Sequence, residues 1–256
     1  VRINPFKERL RSRDTQLGVW ASLACPSASE MLSHSGLDWV VLDMEHAPNT
    51  LSSVLAQCHA MAGSPAEPII RVPDPDDPII VKQLLDLGVQ TLLFPMVSSA
   101  RQALAAVAST RYPPDGTRGV MTTSRCNGFA VDAAVLSHYY QHAAEQLCVI
   151  VQVESAEAVA QIPSIAQVAG VDAIFIGPSD LAASMGHLGN VGHPDVQRTL
   201  RGAFAACEAA SVPFGCITGD VNVASDMLCR GASFVAIGTD ISLLKTATQR
   251  IISKLR

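Results

Sequence analysis

Short, nearly unbroken apolar runs recur along the chain at Leu17 to Ala21, Trp39 to Leu42, Pro68 to Val72, Thr91 to Phe94, Leu147 to Val153, Ala173 to Ile176, Pro213 to Ile217 and Phe234 to Ile237. Runs of this length, rich in β-branched residues, predict strands, and their lack of apolar–polar alternation predicts strands covered on both faces. Between them, apolar positions recur with helical period over Leu51 to Met61, Ile79 to Leu87 (stopped by Gly88), Ala100 to Ala108, Gln197 to Ala210, Val221 to Leu228 and Ser242 to Leu255. Strand and helix alternate almost throughout, as in a parallel sheet wrapped by helices. The eight repeats predict an α/β fold, a single (β/α)8 TIM barrel over residues 1–256. An open doubly wound sheet is the second choice, and no G-x-G-x-x-G follows the first strand to recommend a dinucleotide fold.

One stretch breaks the rhythm. Arg111 to Phe129 is rich in Gly, Pro and Arg, and an additional helix is predicted after it over Val131 to Gln146. Long irregular insertions in compact domains usually cover a site, so a covering role is expected, with a surface elaboration as the alternative.

Composition narrows the function classes. A chain of 256 residues, 48% hydrophobic, can bury one large core. The formal charge of -5 and the scattered Lys and Arg residues offer no basic stripe for a phosphate backbone, which argues against nucleic acid as a partner. Val1 to Asp14 is charged and lacks the apolar run of a signal peptide, and no later stretch has eighteen uninterrupted apolar residues. A soluble, cytoplasmic protein without a membrane partner is therefore expected. The cysteines (25, 58, 126, 148, 207, 216 and 229) include no C-x-x-C pair and are read as mostly buried, reduced thiols.

Barrel enzymes carry their chemistry at the C-terminal strand ends. There the second strand runs into Asp43, Glu45 and His46, the third delivers Arg71, the fifth ends with Gln152 and Glu154, and the sixth leads through Gly177 and Ser179 to Asp180. Singly, each of these could be a solvated loop charge or half of a structural ion pair; together they define one rim. Glu154 and Asp180, at adjacent strand ends, can grip one hard cation and leave coordination sites open, which favours Mg²⁺ or Mn²⁺, with Co²⁺ also possible; the alternative is two carboxylates that cap the next helices.

Such an open metal can chelate the carboxylate and keto oxygens of a 2-oxo acid and stabilise the enolate formed when the C3–C4 bond breaks. Arg71 can donate to the same oxygen, whereas a structural Arg there would be paired with a strand-end carboxylate. The backbone amides that open the next helix, around Gly177, Ser179 and Asp180, suit the substrate carboxylate. His46 is the histidine at a strand end in this cluster, and as the side chain type best suited to exchange protons near neutral pH it is the natural general base for the 4-hydroxyl proton. A Schiff-base mechanism would need a lysine in the barrel mouth, and Lys7, Lys82, Lys245 and Lys254 read as N-terminal arm, third helix, final helix and tail.

With these residues in view, the stretches GVWASL, DWVVLDMEHAPN, PIIRVP, KQLLDLGVQTLLFPMV, RYPPDGTRGV, VQVES, IFIGPSDLAAS and FVAIGTD span nearly the whole chain. In them the sequence resembles the HpcH/HpaI aldolase family of metal-dependent 2-keto-3-deoxy-sugar-acid and 4-hydroxy-2-oxo-acid aldolases. The resemblance implies His46 as base, Arg71 on the enolate oxygen, Glu154 and Asp180 as metal ligands, Gln152 beside the keto acid and Ser179 holding its carboxylate through the backbone. It also implies Asp86, otherwise a helix-end carboxylate, as a partner that orients His46. Reversible cleavage of a 4-hydroxy-2-oxo acid to pyruvate and an aldehyde would follow. So would a homo-oligomer, a hexamer built as a trimer of dimers that exchange the C-terminal helix. Met121 to Phe129 (MTTSRCNGF) departs from the family pattern; this loop is expected to meet the aldehyde half, where Arg125 either binds an acidic tail or salt-bridges to a neighbour.

Alternatives within the superfamily are a macrophomate-synthase-like enzyme or an acyl-CoA lyase, although no basic landing patch for CoA is evident. Phosphorylated substrates are disfavoured by Asp220 and Asp240, which stand beside the glycines that follow strands seven and eight. A barrel that binds a 2-oxo acid without turning it over is the non-enzymatic alternative.

Overall fold

The computed structural model describes all of residues 1–256. Eight parallel strands, β1 (Gln16–Ala21), β2 (Trp39–Asp43), β3 (Glu67–Arg71), β4 (Thr91–Phe94), β5 (Cys148–Val153), β6 (Ala173–Ile176), β7 (Phe214–Ile217) and β8 (Phe234–Thr239), pair in chain order, and β8 returns to β1 to close the barrel. The (β/α)8 expectation is met, and every predicted strand is present within a residue or two of its sequence run.

The helices are α1 (Pro5–Ser12), α2 (Pro26–Ser33), α3 (Leu51–Ala60), α4 (Pro78–Asp86), α5 (Ala100–Thr110), α6 (Ala133–Gln146), α7 (Ala156–Ala160), α8 (Ile162–Ala166), α9 (Pro178–Ser184), α10 (Pro194–Ala209), α11 (Val221–Cys229) and α12 (Asp240–Leu255). Their ends follow local chemistry. In α4, for example, the Asp77 carboxylate accepts the Ile79 and Ile80 amides, Pro78 opens the first turn, and Gly88 at φ 86° lies just beyond the last.

Two apolar layers result. Trp39, Val41, Ile69, Leu93, Cys148, Ile150, Ala173 and Phe175 fill the barrel. Their strand neighbours Val40, Leu42, Ile70, Leu92, Val149, Val151, Ile174 and Ile176 pack beneath the helices. Side chains alternate faces along a strand. The inward set therefore continues at the C-terminal end as Asp43, Arg71 and Gln152, and two residues further along the chain as Glu154 and Gly177. Gly18 makes the large Trp39 ring possible inside the barrel, because a Cβ there would lie 2.0 Å from the indole.

The opposite end is plugged by α1, which the apolar pattern did not announce. Phe6 meets Trp39 and Phe234 edge-on, with ring centroids 6.2 and 5.3 Å away. Lys7 is buried there, 2.9 Å from Asp172, and is not a free arm; like the other lysines it is absent from the barrel mouth.

The insertion corrects one expectation. It leaves the C-terminal end of α5 and re-enters through α6 just before β5, so within the chain it lies at the end of the barrel away from the mouth. There the 3-10 turn Arg125–Ala130 packs against α4 and α6, and the Arg125 guanidinium donates to the Leu87 carbonyl at 2.6 Å. The segment from Met121 to Phe129 thus does not cover its own barrel mouth. The final helix is also unusual: beyond Asp240 every residue of α12 is exposed.

Candidate active site

At the mouth, Asp43 and Arg71 are register partners on β2 and β3. Arg71 donates to both Asp43 oxygens, Nε to Oδ1 at 2.9 Å and Nη2 to Oδ2 at 2.7 Å, and its Nη1 lies 2.8 Å from Glu45 Oε2. The guanidinium also lies over the Trp20 ring, 5.6 Å from its centroid. Burial alone would favour the neutral guanidine, but the hydrogen bonds and charge of Asp43, with Glu45 and Glu154, raise its pKa, so Arg71 is a fixed cation. Asp43 Oδ1 further accepts the Glu45 and His46 amides at 3.0 and 3.3 Å and so shapes the turn that presents His46. The His46 ring is largely exposed, with Nε2 3.9 Å from Glu45 Oε2.

Glu154 is buried, and its two oxygens are held separately. Oε2 accepts the Met96 amide at 3.0 Å, aimed there by a left-handed turn at Met96 with φ 53°, and Oε1 is in close contact with Gln152 Nε2. Gly177 leaves the space, since a Cβ there would lie 2.3 Å from Glu154 Oε1. Burial pushes the Glu154 carboxyl up to about 7; the Met96 amide opposes this, the charges of Asp180 and Glu45 add to it, and Arg71 offsets part. Glu45 is raised as well, first by burial, against the pull of Arg71 and His46. Asp180, in the first turn of α9, is exposed beside Ser179.

These residues fit a divalent cation. Asp43, Glu45, Glu154 and Asp180 share the mouth with a single arginine. Gln152 Oε1 is buried without a hydrogen-bond partner, and the crevice is lined by oxygen donors, the set that hard cations prefer.

The structure gathers His46, Arg71, Gln152, Glu154, Gly177, Ser179 and Asp180 at one end of the barrel. Asp86 is elsewhere. At the end of α4 it is 3.0 Å from Arg118, a fully buried guanidinium that also donates to the Tyr139 hydroxyl and sits 4.5 Å from the Tyr112 ring centroid. Within the chain Asp86 stands at the far end of the barrel from His46. Asp43, Trp20 and the Met96 amide had been given no role from sequence. Asp43 was legible, two places beyond Val41 on the inward face; the Met96 amide depends on a backbone turn that no residue type announces.

The sequence pattern of the family described as HpcH/HpaI aldolase/citrate lyase matches residues 16–247, so the chain belongs to that family. Among curated relatives, hydroxypyruvate/pyruvate aldolase of Pseudomonas aeruginosa is 45% identical over 99% of this chain and 93% of its own length. The 5-keto-4-deoxy-D-glucarate aldolase of Citrobacter koseri is 43% identical over 97% and 95%. A crystal structure of a family member from Burkholderia cenocepacia superposes with TM-score 0.93 at 41% identity, covering 99% of both chains. The chain is thus an enzyme, an aldolase of the carbon–carbon lyase class, and not a barrel that only binds its ligand.

Proposed function

We propose that the mouth reversibly cleaves a 4-hydroxy-2-oxo acid into pyruvate and an aldehyde with the help of a divalent cation. The observation that carries this reading is the Glu154 crevice: a buried carboxylate with both oxygens positioned, next to an unpartnered amide oxygen and a fixed arginine.

Glu154 and Asp180 would hold Mg²⁺ or Mn²⁺, with Co²⁺ compatible, and the cation would draw electron density from the keto oxygen. Gln152 flanks the keto acid, and the Ser179 and Asp180 amides beside Gly177 face its carboxylate. Arg71 is already charged and immobilised by Asp43, so it meets negative charge developing on the C2 oxygen without reorganising. His46, on the turn organised by Asp43, takes the 4-hydroxyl proton as the C3–C4 bond breaks and the electron pair moves toward C2. The enolate so formed takes a proton at C3 to leave as pyruvate, and in the reverse direction His46 returns its proton to the new 4-hydroxyl.

The assembly follows the same reading. Residues Leu17, Val221, Ala224, Leu228 and Ile237 line an apolar groove of about 360 Å³. The helix α12 leaves Leu243, Leu244, Ile251, Ile252 and Leu255 exposed. Exchange of α12 between copies would cover both surfaces, in a hexamer built as a trimer of dimers. Asp86 orients His46 only across a contact between copies, since the two stand at opposite ends of their own barrel. All seven cysteines are unpaired, which supports work in the reducing cytoplasm, and no helix is long and apolar enough to cross a membrane.

The test is proton exchange. Pyruvate incubated with the enzyme and Mn²⁺ or Mg²⁺ in D₂O should lose its methyl proton signal, and chelator should stop the loss. Bound pyruvate that never exchanges would defeat the reading.

A further inference from the structure

The carboxylate of Asp240 does none of the work described so far, yet it is buried at the mouth. It is the first residue of α12, at the end of β8, where barrels often bind a substrate phosphate on helix amides. Here the chain fills that position itself. Asp240 accepts the Ser22 amide at 3.0 and 3.1 Å, the Leu23 amide at 3.0 Å and the Ile241 amide at 2.8 Å. Ser22 and Leu23 belong to the turn that follows β1, so one side chain joins the ends of the first and last strands across the barrel seam.

That seam is irregular. The β1–β8 register shifts between Gly18 and Trp20, and Trp20 pairs with Thr239. The turn then passes through Ala24 at φ 51°, a left-handed conformation that an L-residue adopts only where its surroundings impose it. The next helix does little to fix it, because Cys25 at the start of α2 makes no side-chain cap. The charge-assisted bonds to Asp240 are the polar anchors of the turn. They leave Leu23 exposed on the rim, three residues beyond the Trp20 ring that underlies Arg71.

We propose that Asp240 is a positioning residue for substrate selection: it holds the Ser22–Ala24 turn as a fixed rim of the mouth, so that Leu23 presents a constant apolar contact to the aldehyde half of the substrate. The proposal rests on the mouth being the aldol site. Pyruvate lacks the aldehyde half that this rim would contact, so on this proposal the two half-reactions respond differently when the clamp is cut.

The experiment compares two rates in the full-length enzyme with Mn²⁺: pyruvate methyl exchange in D₂O, and aldol addition of pyruvate to aldehydes of increasing chain length. Asp240→Ala should raise the aldehyde KM by roughly ten-fold or more and flatten the chain-length preference, with exchange held within about two-fold. Asp240→Asn keeps one acceptor oxygen but turns an amide donor toward a backbone N–H that the second oxygen had accepted, so it should recover only part of the loss. Leu23→Ala, at an exposed position, should reproduce the flattened preference without a change in melting temperature, and it decides the matter if Asp240→Ala does not fold. Equal losses of exchange and addition in Asp240→Ala, or an unaltered aldehyde preference in Leu23→Ala, would overturn the proposal. Failure of the unmodified enzyme to exchange pyruvate protons would instead count against the aldol-site reading.

Discussion

Asp43 and Arg71 face each other across β2 and β3 at matched register, joined by two hydrogen bonds of 2.9 and 2.7 Å. The sequence had set an enolate-binding arginine against a structurally paired one; the geometry shows the pairing and leaves the catalytic role compatible with it. A buried guanidinium without a counter-charge would be costly, and an unpaired Asp43 equally so. In the proposed reaction the pair would preorganise the guanidinium that meets the developing negative charge.

Arg71→Ala should cost about 3–5 kcal/mol of stability, because Asp43 is then buried without its partner. Arg71→Lys keeps the charge but loses the bidentate geometry. It should fold better than the alanine variant and still lose roughly 10²- to 10³-fold in kcat for both cleavage and pyruvate exchange. Thermal melts beside the two rates separate these effects.

The raised Glu154 carboxyl gives a pH signature. Its folded value, about 7, exceeds the ordinary 4.5. Between those values the folded protein holds a proton that the unfolded chain has released, so stability falls as pH rises through this window and levels off above it. Glu154→Gln should lose this dependence. Cation binding needs the ionised form, so apparent Mn²⁺ affinity should weaken by about ten-fold per pH unit below 7. Titration calorimetry of the metal-free enzyme from pH 5.5 to 8 measures it, and a flat profile would contradict the assigned ligand.

Gly177→Ala places a methyl group 2.3 Å from the Glu154 oxygen. Glu154 is held by Met96 and Gln152, so it must give up one of them to move. Mn²⁺ affinity should fall by roughly 10- to 100-fold. The fold should persist, because Gly177 has φ -89°, open to any residue.

Phe6→Ala tests the plug at the other end. The ring is fully buried against Trp39 and Phe234, and its removal should cost about 3–5 kcal/mol. Residual activity at a temperature where the variant is folded should be near normal, since the mouth lies at the far end of the strands.

Much of this was visible in the order of residues. Eight continuous apolar runs separated by helical periods leave few ways to bury both faces of every strand, and closing the sheet is one of them. The same alternation that sends Val41 and Ile150 inward carries Asp43 and Gln152 to the mouth, so the rim of polar residues could be read from strand ends. What could not be read belongs to contacts between distant segments. The plug formed by α1, the placement of Arg111 to Phe129 away from the mouth, the separation of Asp86 from His46 and the Asp240 seam all depend on which end of the barrel a segment reaches and what it meets there. Periodicity states which face of an element is buried. It carries no record of its partner, because register and closure are settled by the packing of the whole chain at once.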